Sequence, residues 1–160
     1  MRYFIYLPLI LLFSCGRQPD NTARLQNEID SLQNKLAHTY RPGLGEYMAG
    51  IQVHHAKLWY AGNAQNWALA QFELDEIKEA TDGIREFCQD RPEISSLHMI
   101  DGPVDSLANT VKNKDLPNFK NSFIALTATC NNCHRATKHE FNVIKLPDSP
   151  PFSNQEFKAQ

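Results

Sequence analysis

The sequence predicts an all-α fold: an antiparallel four-helix bundle, with a helical spacer before it and an extended tail after it. Apolar residues return at alternating steps of three and four through four separate stretches. Residues so spaced share one helix face, and a mean step near three and a half suits nearly aligned helices. No stretch alternates with period two over a strand's length, and the connections are short enough to make neighbouring helices antiparallel. With 160 residues, 42% of them hydrophobic and 21% charged, the chain is sized for one modest core. A net charge of −2 and the lack of a basic tract interleaved with aromatics argue against a nucleic-acid partner.

The chain opens with "MRYFIYLPLILLFSCGRQ", which has one early arginine and an apolar run from Tyr3 to Phe13. The run is shorter than the roughly 20 residues that span a bilayer and is interrupted by Pro8, so residues 1–14 read as an export signal. Leu12-Phe13-Ser14-Cys15 resembles a bacterial lipobox, which implies that Cys15 carries lipid and begins the mature chain. The alternative is an ordinary signal peptide with an unrelated cysteine near its cleavage site. Either way the chain is expected outside the cytoplasm, and with lipid it sits on the periplasmic face of a bacterial membrane. Residues 15–40 then form the lipidated N-terminus and spacer. Leu25, Ile29, Leu32 and Leu36 make a helical stripe there, either a short coiled-coil seam or a rod lifting the domain off a membrane. Tyr40-Arg41-Pro42-Gly43 breaks the pattern and marks the domain boundary.

Residues 41–142 hold the predicted bundle. The first helix, Leu44 to Ala61, aligns Leu44, Met48, Ile51, His55, Leu58 and Gly62. The second, Asn66 to Cys88, aligns Trp67, Ala70, Leu74, Ile77, Thr81, Ile84 and Cys88, and Asp90-Arg91-Pro92 ends it. A looser stretch leads to Asp101-Gly102-Pro103, a start signal for a short third helix with Val104, Leu107 and Val111 facing inward. Asp115-Leu116-Pro117 opens the fourth, whose stripe is Phe119, Phe123, Leu126, Cys130, Cys133 and Thr137. Residues 143–160, with "LPDSPPFSNQEF", read as a proline-rich tail for which disorder is the expectation.

There are four cysteines, Cys15, Cys88, Cys130 and Cys133. Cys88 reads as a small apolar core side chain. The last two stand in "CNNCH", where two thiols three positions apart match the two vinyl groups of a haem and the imidazole of His134 can bind the iron. Chance supplies Cys-x-x-Cys-His to only a few in a thousand chains of this composition, on the order of magnitude. A redox dithiol would sit where a strand meets a helix start, and structural zinc would require a fourth ligand, for which only His139 or Cys88 offer themselves. A disulfide at this spacing would be strained within a helix. The expected cofactor is therefore one covalent haem c per chain, held by Cys130, Cys133 and His134.

A helical bundle with Cys-x-x-Cys-His late in its last helix resembles the class II c-type cytochromes, the cytochrome c-prime family. The resemblance covers about Leu44 to Glu140 and is specific only in the haem motif. It implies that a first-helix methionine, here Met48, serves as sixth iron ligand in low-spin forms, and that a homodimer is the assembly to look for. The compact third helix, the leading polar helix and the proline-rich tail depart from the family pattern. The segment "GEYMAGIQVHHAKLWYAG" also resembles one that recurs in bacterial exported proteins, which implies no activity.

Met48 and His55 are seven residues apart, about 10 Å along a helix, so one iron cannot take either freely. In antiparallel neighbours the start of the first helix lies level with the end of the fourth, which favours Met48 opposite His134 over the deeper His55, with no protein sixth ligand as a third option. His54 points away from this stripe and is expected to face solvent; Tyr47, Ile51 and Trp59 are candidate pocket-lining residues. Met48 ligation implies electron transfer with an unidentified redox partner protein, whereas an open site implies binding of a diatomic gas. Enzymatic turnover is not expected, because His55 is the only base in reach and no arginine is flagged beside it. A reading from another class is a haem-free, surface-anchored interaction module using the helix of Trp67 and Phe72.

Overall fold

Each predicted helix forms where the apolar spacing places it, and two of them also have a side-chain cap at the start. The computed structural model describes residues 21–159, and all its regular elements are helical. They are α1 (Thr22–Ala37), α2 (Leu44–Asn63), α3 (Trp67–Phe87), the single turn α4 (Ile94–Leu97), α5 (Asp101–Lys112) and α6 (Leu116–Ala136). A 3-10 turn, His98–Ile100, joins α4 to α5. The export signal and Cys15 lie outside the described residues. No helix among the described residues is long and apolar enough to cross a membrane.

Asn66 starts α3 and Asp115 starts α6, each side chain accepting the N–H three residues on (Leu69 and Asn118, both at 3.2 Å). Such caps satisfy one of the amides that a helix start leaves without a partner. Helices α2, α5 and α6 are each followed by a residue in the left-handed region, Gln65, Lys114 and Lys138, with φ of 55°, 55° and 62°. None is glycine. After each, the next N–H reaches back over the helix end: Asn66 to Ala61 O, Asp115 to Thr110 O and His139 to His134 O. That bond satisfies an end carbonyl and reverses the chain sharply.

The chain divides into two compact units, residues 1–40 and 41–160. In the first, α1 has no buried residue, and its Leu25, Ile29, Leu32 and Leu36 are all exposed. In the second, α2 packs along α3 and α5 along α6, while α3 also meets α5 and α2 also meets α6. The predicted faces are the buried ones. Leu58, Leu74, Ile77, Ile84, Leu107, Phe119, Phe123 and Leu126 form the interior, with Cys88 beside them as an apolar side chain.

Three expectations need correction. His54 does not simply face solvent: it is partly buried, its Nδ1 lies 2.7 Å from Oε2 of Glu73, a carboxylate wholly buried on α3, and Lys57 Nζ stands 3.9 Å from the other oxygen. Burying a carboxylate is tolerated only with such partners. The tail is not disordered either. The Asn131 side chain donates to Ile144 O and accepts from Ile144 N–H, both at 2.8 Å. Further on, Phe157 is buried with its ring 5.5 Å from Tyr60. One ring contact and a fork of hydrogen bonds hold the tail despite its proline content. Finally, the looser stretch 94–100 is helical, too short for periodicity to reveal it.

Candidate functional site

Helix α6 carries Cys130, Cys133 and His134 into the wall of an apolar cavity of about 330 Å³. Helix α2 supplies Leu44, Met48, Ile51 and His55 to the same cavity. Ile94, Leu97 and Ile100 come from the short turns that the sequence did not reveal, and Arg91, Glu93 and His139 stand with them. The volume falls at the lower end of the roughly 300–1,000 Å³ typical of small-molecule sites. Ile51 lines it as expected. Tyr47 and Trp59 do not: Tyr47 lies over Gly83 on the opposite side of α2, and Trp59 stacks on Phe123 with centroids 4.9 Å apart.

The two thiols are free. Burial pushes Cys130 up to about 11, with Cys133 nearby adding to the effect. Burial also raises Cys133, and the carboxylate of Glu93 reinforces it. Redox-active cysteines need the opposite, a thiolate stabilised near neutrality. Among the described residues no three His, Cys, Asp or Glu side chains converge as metal ligands. That donor set does not fit a closed zinc site, which takes four protein ligands. A haem iron brings four porphyrin nitrogens and asks the protein for only one or two axial donors.

His134 is oriented for such a role. The left-handed turn at Lys138 folds the chain back so that Asn142 O lies 2.6 Å from His134 Nδ1. Only Nδ1–H can donate to a carbonyl, so the ring keeps its lone pair on Nε2. A histidine ligand fixed in this way is the usual arrangement around protein-bound metals.

His55 is held differently. Its Nε2 lies 2.8 Å from the hydroxyl of Thr127, and that hydroxyl donates to Phe123 O at 2.9 Å. The Thr127 proton being used, Nε2 must donate, which leaves the lone pair on Nδ1. Nε2 is therefore engaged, and only the more crowded Nδ1 is open.

Burial lowers His55 to about 4. A base depressed in the fold stays neutral there while the unfolded chain takes up a proton below about 6.5, so stability falls as pH drops from 6.5 towards 4. The full effect amounts to roughly 3 kcal/mol at 1.36 kcal/mol per pH unit. Urea titrations of the haem-free chain at pH 7 and pH 4.5 should show this slope. His55→Leu should remove most of it, because Thr127 still donates to Phe123 O; an equal slope in the variant would assign the effect elsewhere.

The haem-free alternative named Trp67 and Phe72. Trp67 is partly buried, packing edge-on against Phe119 at 5.9 Å, and Phe72 is 54% exposed. Sequence reasoning missed Arg91, which forks onto Glu93 at 3.1 and 3.3 Å in the cavity wall, and it missed the His54–Glu73 pair. No period marks a residue in a loop, and nothing linear joins positions 19 apart on two helices. No family model, no curated protein and no solved structure matches the chain.

Proposed function

We propose that the protein is an exported c-type cytochrome, similar to the class II cytochromes, that carries one covalent haem and transfers electrons. One observation carries this reading: the Cys-x-x-Cys-His motif lies on an apolar cavity that Met48 also lines from α2. We infer further that α2, α3, α5 and α6 form an antiparallel four-helix bundle. Their short connections and the ring of contacts α2–α3–α5–α6–α2 support it.

Haem, when bound, supplies a one-electron ferric–ferrous couple. Cys130 and Cys133, both free thiols, would hold it, each S–H adding across one haem vinyl group to leave a thioether. His134 would bind the iron through Nε2, with Asn142 O keeping the ring in that tautomer. Met48 would be the second protein ligand in preference to His55, whose Nε2 is engaged by Thr127. Methionine ligation raises the potential relative to a second histidine, and the apolar lining excludes water and disfavours the additional charge of the ferric state. Lipid on Cys15 would keep the domain at the periplasmic face of a bacterial membrane, where a redox partner protein would meet it.

The absorption spectrum of both redox states, with and without carbon monoxide, tests the ligand assignment. The native protein should be low-spin and indifferent to carbon monoxide. Met48→Leu should turn it high-spin and let the ferrous form bind the gas. A native protein that binds carbon monoxide readily would instead make it a five-coordinate, gas-binding protein.

A further inference from the structure

Helix α1 is polar except for one narrow stripe, and none of the described residues covers that stripe. Leu25, Ile29, Leu32 and Leu36 are 49%, 46%, 63% and 58% exposed. A 16-residue helix with no buried face is marginal in water, and its local bonds, Arg24 to Glu28 at 3.7 Å and Gln26 to Asp30 at 2.8 Å, are exposed and weak. The stripe calls for a partner.

The flanking charges identify one, and the spacing accommodates it. Steps of four, three and four read the same in both directions. Laid against a reversed copy of itself, the stripe pairs Leu25 with Leu36 of the second copy and Ile29 with its Leu32, and then the reverse pairs by symmetry. Assigning Ile29 and Leu36 to heptad position a, and Leu25 and Leu32 to d, makes each layer an a–d contact. Glu28 and Lys35 then occupy flanking g positions, where an antiparallel pair sets Glu28 of one copy beside Lys35 of the other, twice. In a parallel pair Glu28 would face Gln33 and Lys35 would face Tyr40, with no complementary charge. A membrane surface fits less well. The four charges on α1, Arg24, Glu28, Asp30 and Lys35, cancel, and the helix lacks the aromatic side chains and basic face of interfacial helices.

We propose that α1 is a self-association device that joins two copies of this chain through an antiparallel helix pair centred between Asp30 and Ser31. The reading does not depend on haem, and it leaves the faces of α2 to α6 free.

Disulfide trapping in the full-length chain, in mild detergent, tests it. Leu25→Cys and Leu36→Cys chains, differently tagged and mixed, should form a mixed disulfide. Neither should form a disulfide with itself, because like positions then stand 11 residues apart in level, about 16 Å. Homodisulfides at both positions would show a parallel pair and overturn the proposal. In sedimentation, Glu28→Lys should weaken association roughly tenfold by placing two like-charged pairs in contact, and adding Lys35→Glu should restore it. Ile29→Asp should leave monomers with unchanged absorption and helix content in the second unit. No disulfide in any mixture, monomers throughout, or vesicle binding that alone depends on Ile29 would each refute the pairing.

Discussion

A chain with alanine at both Cys130 and Cys133 is expected to emerge colourless from cells that attach haem to the native sequence, and to be the less stable of the two. Among the described residues the cavity offers no thiols besides these two, since Cys88 is buried away from it and does not line it. Without them Met48, Ile51, Leu97 and Ile100 face a cavity of about 330 Å³ with nothing to pack against. Lining atoms that face a void lose their dispersion contacts, and the loss grows with the volume left open. Absorbance of the purified variant and its urea midpoint read both effects. A single replacement leaves one thioether and should retain colour. If the double variant absorbs and unfolds as the native protein does, the cluster has another purpose.

Gly62→Ala is expected to destabilise the chain by about 2 kcal/mol or more, although alanine favours a helix over glycine by up to about 1 kcal/mol. A Cβ at position 62 would stand 2.0 Å from Cζ of Phe119 and 2.2 Å from Cε1. The ring cannot withdraw easily. It is fully buried, with Trp67 edge-on at 5.9 Å and Phe123 at 6.0 Å. The flat ring on the bare α-carbon brings α2 and α6 close together, and a single methyl pushes them apart. Phe119→Leu destabilises alone but should cost less in the Gly62→Ala background than in the native one. A variant more stable than the native chain would mean that the two helices stand further apart than described.

Much of this was legible in advance. Most of the buried residues of α2, α3, α5 and α6 follow from the three–four spacing, because burial requires one apolar face per helix; Ala61, Glu73 and Thr127 are buried outside the predicted stripes. Asn66 and Asp115 announced two helix starts for a similarly local reason. The Cys-x-x-Cys-His cluster on which the haem proposal rests is read directly from consecutive residues, because thioether spacing would be a covalent constraint. What escaped depends on long-range or weakly patterned contacts. His54 appeared exposed because its partner, Glu73, belongs to another helix. The turns at Ile94–Ile100, which close the cavity, are too brief to show a period. The tail's order rests on Asn131 and Tyr60, residues far from it in the chain. The hydrogen bond that orients His134 comes from a backbone carbonyl, which no side-chain pattern can reveal.

The most direct test is the mass of the denatured mature chain, purified from cells able to attach haem and exposed to acid before measurement. The account predicts a polypeptide heavier by one haem that acid does not release, with the added mass on the peptide containing Cys130 and Cys133. A bare polypeptide, carrying at most a lipid on Cys15, would contradict it.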